Sequence, residues 1–584
     1  MGYPYVGLLS ATPQNNKPRD LQNQIYLFER ERSKSTLKEA SGGNLESFFS
    51  RINKDYDSCI KAKKPGNVDE VTFKNEQQQK LSKICADVRN GVLQHLVVRR
   101  TRTDIKLHYQ DVIKEQNLIF PEIKGPLELK YALRGNLPQL FLDTIDAICS
   151  RDEEASSENM HLHFYRYRSV EFLKNPANRI KHEERKNLDA ERFSKQLAKM
   201  VQINLVKRLE SSISAFRSSL QHLIQDTQNL ISMLEKDVFF ICPDINLSEE
   251  FDRKKKSDKY LKVYTFLDCC NDVRKKIQKL DKEGKNEKKR NCEYKAADFD
   301  DAFLDGLRTD LYILESLNKR WQNISLDPKL AVFSQYLTPT LFNEDINPQK
   351  KLVIFTESVV TAQAIEEAIK NQVDGSEYNV LSVRSSNRKD LEKVIQENFD
   401  ANYVGEQKDD IQILITTDVL AEGINLHRAS SILNYDTPWN STKLMQRIGR
   451  VNRIGSKSRF IYVYNFMPSA QGDEEIKLVQ KAYTKIQAFH SLFGEDSKIF
   501  SLDETVVHHD LTMQFDGCES PQEKYIHELR QYKNEFPERY NYLEKLDHGF
   551  NFVLKKISSQ RLFYVMTSNV NGKFVLEKDG IALH

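Results

Sequence analysis

ILITTDVLAEGINL (Ile413–Leu426) is followed within a few residues by LNYDTPWN (Leu433–Asn440) and QRIGRVNRIG (Gln446–Gly455). The first string is a run of aliphatic residues that breaks at Thr417 and Asp418 into a polar loop containing Gly423. A short apolar run bounded by turn residues reads as a strand buried on both faces. A glycine between polar residues lets the backbone come close to a phosphate or a sugar. The last string spaces Arg450 and Arg453 three apart, which puts both guanidinium groups on one side of a helical turn. Arginine is permanently charged and forks onto phosphate oxygens. Two such forks at the edge of a cleft suit the γ-phosphate of a nucleotide.

Outward from this stretch the strand pattern repeats. KLVIFT (Lys351–Thr356), NVLSV (Asn379–Val383), SSILNYD (Ser430–Asp436) and FIYVYNF (Phe460–Phe466) are further short strands. Helical segments at Ala362–Lys370 and 388–399 separate some of them. Strands alternating with helices imply an α/β fold, a parallel sheet with helices on both faces. In such sheets ligands bind beyond the carboxyl ends of the strands. Thr417, Asp418, Glu422, Gly423 and Asn425 follow one strand end, and Asp436 follows another.

Between about Leu137 and Trp321 glycine becomes rare, charge is dense, and apolar residues recur every three or four positions. Leu205, Leu209, Ile213, Phe216 and Leu220 make one such stripe, a packing face. The lysine-rich run 253–295 reads as a solvated helical surface. The whole region reads as a helical insertion. HLHFYRYRS (His161–Ser169) mixes aromatic and basic residues and reads as a half-buried helix edge rather than a base-stacking platform. Toward the N-terminus, YVGLLSATP is a strand running into a turn at Pro13, and a helix follows over Arg19–Phe28. Residues 76–98 are helical and end in HLVVRRTRTDI, and 120–133 look extended. No role is assigned beyond Phe500.

A chain of 584 residues is too long for one core. Lys+Arg number 87 and Asp+Glu 84, a net charge of +3, so any nucleic-acid site is a local patch. The eight cysteines form no CxxC pair and show no zinc spacing, which fits reduced thiols in the cytoplasm. His508, His509 and Asp510 lack a second ligand group, and no metal site is expected from protein ligands. No window of about 18 apolar residues predicts a membrane span.

Taken in order, LLSATP, RRTRTDI, KLVIFT, TTDVLAEGINL, NYDTPWN and QRIGRVNRIG resemble the later motifs of superfamily 2 helicases, most closely the Swi/Snf-like branch. The resemblance implies two RecA-like lobes with ATP and Mg2+ between them. It implies that Ser10, Ala11 and Thr12 couple nucleotide state to domain movement. It implies that Phe355, Thr356 and Thr417 meet nucleic acid, and that Asp418, Gly423 and Asn425 meet the nucleotide. Gln446, Arg450 and Arg453 match the arginine-finger motif, whose arginines stabilise charge on the transferred phosphoryl group. The sequence departs from the family in containing no GxxxxGK[ST] loop. GSKS at Gly455–Ser458 follows the arginine helix and is not a P-loop, and RDEE at Arg151–Glu154 has no buried strand before it.

The resulting expectation is the C-terminal portion of an ATP-dependent DNA translocase, inactive alone, from a truncated, split or fragmentary reading frame. Its parts are a first-lobe remnant (1–120), a linker with helical insertion (121–325), a second RecA-like lobe (326–500) and an extension (501–584). Its expected partners are duplex DNA and an upstream polypeptide carrying the P-loop and DExx motifs. The alternatives are a non-catalytic nucleic-acid-binding or regulatory protein on a RecA-like lobe, and an RNA-directed helicase.

Overall fold

The computed structural model describes residues 18–29, 44–62, 70–93, 109–149, 161–182, 190–252, 265–286, 289–372, 378–438, 441–469, the strand residues 550–557, 560–567, 576–578 and 581–583, and a few isolated positions. Its centre is a parallel sheet of six strands: β1 (Glu122–Leu129), β2 (Leu352–Phe355), β3 (Val380–Val383), β4 (Ile413–Thr416), β5 (Ser431–Asn434) and β6 (Phe460–Phe466). The spatial order is β1-β6-β5-β2-β4-β3, with every neighbouring pair parallel. This is the expected α/β lobe, and the five strands read between 350 and 466 fall where the aliphatic runs put them.

The helices that follow are α1 (Pro18–Ile25), α2 (Leu45–Lys61), α3 (Glu70–Val88), α4 (Ala190–Ser211), α5 (Ile213–Glu235), α6 (Asp301–Gln322), α7 (Pro328–Tyr336), α8 (Val359–Gln372), α9 (Arg388–Phe399) and α10 (Ser441–Val451). Parallel neighbours need crossovers, and α8, α9 and α10 provide them. Successive strand residues face opposite ways. Val353, Phe355, Leu414 and Ile432 therefore pack with Ile395 and Phe399 of α9 and Leu444, Ile448 and Val451 of α10. Leu352, Ile354, Ile413, Ile415 and Leu433 pack on the other face against Phe333 of α7 and Ala362, Ile365 and Ile369 of α8. Each fully buried Leu, Ile or Phe contributes about 1.5–3 kcal/mol, and this double-sided burial holds the lobe together.

Strand β1 lies within the 121–325 stretch by sequence, yet it forms an edge of this sheet beside β6. Its ladder shifts register between Lys124 and Leu127. Pro126 has no N–H to donate, and Gly125 takes φ +111°, so the interruption sits at an edge, where it is tolerated.

Between β1 and α7 the chain forms the helical insertion, with two apolar clusters of its own. Trp321 is fully buried there, meets Phe216 edge-on at 5.4 Å, and donates from Nε1 to Thr144 Oγ1 at 2.9 Å. The Leu205–Leu220 stripe is not one helix. The chain breaks at Ser212, whose side chain caps α5 by accepting from Ala215 N at 3.0 Å. The His161–Ser169 string packs into the insertion. Asp310 accepts from His163 N at 2.8 Å and Tyr165 N at 2.7 Å, and Arg166 pairs with Asp226 at 2.9 Å.

Helices α1, α2 and α3 share a further cluster around Phe49 and Ile52, against which Met445 of α10 also packs. The expected strand through Ser10, Ala11 and Thr12 lies outside the described residues, as do His508, His509 and Asp510 and residues 253–264 of the lysine-rich run 253–295. Among the described residues no helix is long and apolar enough to cross a membrane, and no His/Cys/Asp/Glu group could hold a metal.

Candidate functional site

The carboxyl ends of β2, β4 and β5 carry the informative loops, and α10 lies across them. Leu444, Ile448 and Val451 recur at helical spacing and are buried, so they fix the rotation of α10. The same apolar stripe includes Arg447, which has no exposed surface. A guanidinium in that position needs a counter-charge. Arg447 donates to Asp418 Oδ1 from Nε at 2.8 Å and from Nη2 at 2.6 Å, and from Nη1 to Asp436 O at 2.8 Å. Lys443, one turn earlier, reaches Asp418 Oδ2 at 2.7 Å. Burial raises the pKa of the Asp418 carboxyl, but Arg447 and Lys443 outweigh it and hold the group below the ordinary carboxylate range. Asp418 thus fastens the loop after β4 to α10, and both of its oxygens are engaged by this chain.

Arg447 was not singled out among the sequence's candidate residues. Its signal was there: it follows Leu444 by three and falls on the apolar face.

Gln446, Arg450 and Arg453 lie further along α10 and just past its end. Gln446 Nε2 donates to Glu422 Oε1 at 2.9 Å. Arg450 and Arg453 are half-buried. Arg450 donates to Gln446 O and Ile424 O at 3.4 Å, and Arg453 Nε donates to Gly449 O at 3.1 Å. Among the described residues neither pairs with a carboxylate within ion-pair distance. Burial lowers the basicity of both; Arg453 lowers that of Arg450 further, while Glu422 opposes. For Arg453 the opposing group is Asp400. Two adjacent, partly desolvated cations with only carbonyl partners make a local field that favours an anion. Gly449, one residue before Arg450, has no atom within 4 Å of the place a Cβ would occupy. Packing among the described residues does not require a glycine there, and a helix interior is about 1 kcal/mol worse for it.

The loop Thr417–Asn425 supplies the other candidates. Gly423 takes φ +78°, and a Cβ there would stand 2.9 Å from Arg388 Nη2, so the loop is shaped around a glycine. Asn425 Nδ2 donates to Asp400 Oδ2 at 3.0 Å, and Leu426 N donates to Arg450 O at 2.9 Å, which ties the loop to the arginine helix. Thr417 is partly exposed at the mouth of this loop.

Phe355 and Thr356 correct the expectation of nucleic-acid contact through their side chains, because both are fully buried. The Phe355 ring lies 5.3 Å from the Arg447 guanidinium. Thr356 Oγ1 donates to Asp436 Oδ2 at 2.5 Å. Asp436 is the hub of a buried polar cluster that joins the insertion to the lobe. It accepts from Ser211 Oγ at 2.8 Å and Glu357 N at 2.9 Å, and pairs with Lys329 at 3.1 Å. Burial raises its pKa, but Lys329 and the hydrogen bonds donated to it bring it below the ordinary range. Glu210, at the end of α4, accepts from Tyr131 and Ser469, and burial raises its pKa above the ordinary range. Ser10, Ala11 and Thr12 are not brought to this site, since they lie outside the described residues.

The site is thus a glycine-shaped loop after one parallel strand, tied to a helix near whose end stand two arginines that meet no carboxylate among the described residues. Residues 329–455 match the helicase conserved C-terminal domain family. The matched span holds strands β2 to β5 and helices α8 to α10. It is similar to the uncharacterized ATP-dependent helicase YqhH of Bacillus subtilis, 41% identical over 85 residues, which are 15% of this chain and 15% of that protein. It is similar to the RNA polymerase-associated protein RapA of Pectobacterium carotovorum, 22% identical over 246 residues, 42% of this chain and 22% of RapA. It is also similar to the ATP-dependent RNA helicase DBP6 of Vanderwaltozyma polyspora, 25% identical over 188 residues, 32% of this chain and 24% of that protein. The matches thus span less than a quarter of the length of each relative.

Proposed function

We propose that this chain is the arginine-finger lobe of an ATP-dependent, nucleic-acid-stimulated motor of the Swi/Snf type, with duplex DNA as its track. The observation that carries this reading is the pair Arg450 and Arg453, half-buried, adjacent, and without a carboxylate partner among the described residues. In this reading their guanidinium groups meet the terminal phosphates of ATP and stabilise the charge that develops as the phosphoryl group leaves. Gln446 and Gly423 shape the approach, and the open space beside Gly449 admits the phosphates. Asp418 and Asn425 act from behind: they hold the loop against α10 and leave the arginines in place. Asp418 is committed to Arg447 and Lys443, so the ligands for Mg2+ would come from a lobe that carries a P-loop, and no GxxxxGK[ST] string occurs in this sequence. Thr417, at the open mouth of the loop, faces the nucleic acid, and Ser10, Ala11 and Thr12 couple the lobes. The protein works in the cytoplasm.

The test is to combine this chain with a polypeptide carrying the P-loop and DExx motifs, encoded upstream of it, and to measure ATP hydrolysis with and without duplex DNA. Stimulation by duplex DNA is expected, and its absence refutes the motor reading in favour of a non-catalytic binding protein. A relative named as an RNA helicase supports a second reading, with RNA as the track. Stronger stimulation by structured RNA than by duplex DNA would replace the first reading with the second.

A further inference from the structure

The string RRTRTDI, singled out in the sequence, has no part in the site described so far, yet one of its arginines touches the arginine helix. Helix α10 ends at Val451, and Asn452 stands between the two fingers in sequence. Arg102 Nη1 donates to Asn452 Oδ1 at 2.6 Å, and Nη2 donates to Asn452 O at 2.7 Å. Arg102 Nη1 also donates to Pro121 O at 3.1 Å, just before β1. The main chain closes the same junction from the other side. Gly455 N donates to Ile119 O at 3.0 Å, and Glu122 N donates to Arg459 O at 2.8 Å.

The last carbonyls of a helix have no partner within it, and a cation there also meets the favourable end of the helix dipole. Three acceptors converging on one planar fork suit a guanidinium; an ammonium cannot span them in the same way. The contact therefore fixes the backbone at Asn452. That backbone sets the direction in which Arg453 leaves the helix, and it limits fraying of the turn that carries Arg450.

We infer that Arg102 is a positioning residue for the arginine fingers, a clasp that locks the end of α10 to the segment 119–122 leading into β1. The inference rests on the proposed function insofar as it concerns catalysis, while the clasp itself does not. It gives the segment before β1 a direct hold on finger geometry. A displacement there would misalign Arg450 and Arg453 without touching the nucleotide.

The test has two readouts on the full chain. The first is amide hydrogen exchange of the isolated protein, in the peptide spanning 450–456. Losing a charge-assisted fork should speed exchange there about tenfold in Arg102→Lys and Arg102→Ala, with the strand peptide 413–416 unchanged. Asn452→Ala, which removes the Oδ1 acceptor but keeps the contacts to Asn452 O and Pro121 O, should speed exchange by less, and adding it to Arg102→Ala should change little more. The second readout is ATP turnover in the assembly with the P-loop polypeptide and duplex DNA. Arg102→Lys should lower kcat by about 10- to 100-fold with KM for ATP within about twofold, the signature of misplaced groups rather than lost binding. Unchanged exchange at 450–456 in both Arg102 variants overturns the clasp. Unchanged kcat in Arg102→Lys, with turnover abolished in Arg450→Ala, overturns the positioning role and leaves the proposed function standing. Unchanged turnover in Arg450→Ala overturns both.

Discussion

Replacing Asp418 by alanine should unfasten the site from its own lobe. The structure sets the size of the effect. Arg447 has no exposed side-chain surface, while Asp418 keeps 27%. Removing the carboxylate leaves a buried guanidinium whose hydrogen-bond partners among the described residues are then Asp436 O and Asn434 Oδ1, at 2.8 and 3.4 Å. Breaking a buried pair by deleting one member costs about 3–5 kcal/mol. The residual exposure of Asp418 places this case near the lower end, about 3 kcal/mol. The lost contact to Lys443 adds little, because that side chain is 44% exposed. About 3 kcal/mol corresponds to roughly two orders of magnitude in an opening equilibrium. Native-state hydrogen exchange of the amides in β4 and β5 should therefore accelerate by about a hundredfold in Asp418→Ala. The effect has a pH signature. The Asp418 pKa is lower in the folded chain than in the unfolded one, despite burial, because of Arg447 and Lys443. Its contribution is then complete above about pH 4 and is lost as pH falls through the folded value. Wild type should lose protection over that range, and Asp418→Asn should lack that part of the loss. Acceleration below about fivefold in Asp418→Ala, equivalent to about 1 kcal/mol, would refute the clamp as described.

Three further outcomes follow from the packing and the titratable groups. Gly306→Ala should destabilise the insertion by about 1–3 kcal/mol although alanine is the better helix former, because a Cβ there would overlap the Tyr165 ring; thermal unfolding and exchange of 301–322 measure it. Gly423→Ala should cost about 1–2 kcal/mol, since the residue sits at φ +78° against Arg388, and should loosen exchange across 418–426. Asp310 is pushed up to about 6 by burial, against the pull of the His163, Tyr165 and Phe164 backbone donors and Arg168. The folded insertion then holds a proton that the unfolded chain has released between about pH 4 and 6, so its stability should fall as pH rises through that window, and Asp310→Asn should flatten the slope.

The fold was legible in the sequence wherever burial was two-sided. Val353, Ile354, Leu414 and Ile415 sit in unbroken aliphatic runs, and such runs have few other places to go than the middle of a parallel sheet. Strand β1 was legible only as extended chain. Its pattern EIKGPLEL is interrupted by Gly125 and Pro126, and its partner β6 lies more than 300 residues away, so nothing local assigns it to this sheet. The break at Ser212 was hidden because the apolar stripe runs through it without losing phase.

At the site, Arg450 and Arg453 stand out by residue type and spacing, and among the described residues neither has a carboxylate partner within ion-pair distance. Phe355 and Thr356 misled, because their place in a motif string says nothing about which way a strand end faces. Phe355 points into the core, and Thr356 turns to Asp436. Arg447 escaped notice because charged residues on amphipathic helices usually lie outside. Only the position of Asp418 on another element explains why this one lies inside. Arg102 was equally invisible, since its contact spans 350 residues of sequence.

The central claim is that Arg450 acts on the nucleotide rather than on the fold. Its most direct test is the turnover of ATP by the assembly of this chain with the P-loop polypeptide on duplex DNA, comparing wild type with Arg450→Ala. A loss of about 10³–10⁵ in kcat, with exchange in β4 and β5 unchanged, is the expected result. Turnover within a few fold of wild type would contradict the account.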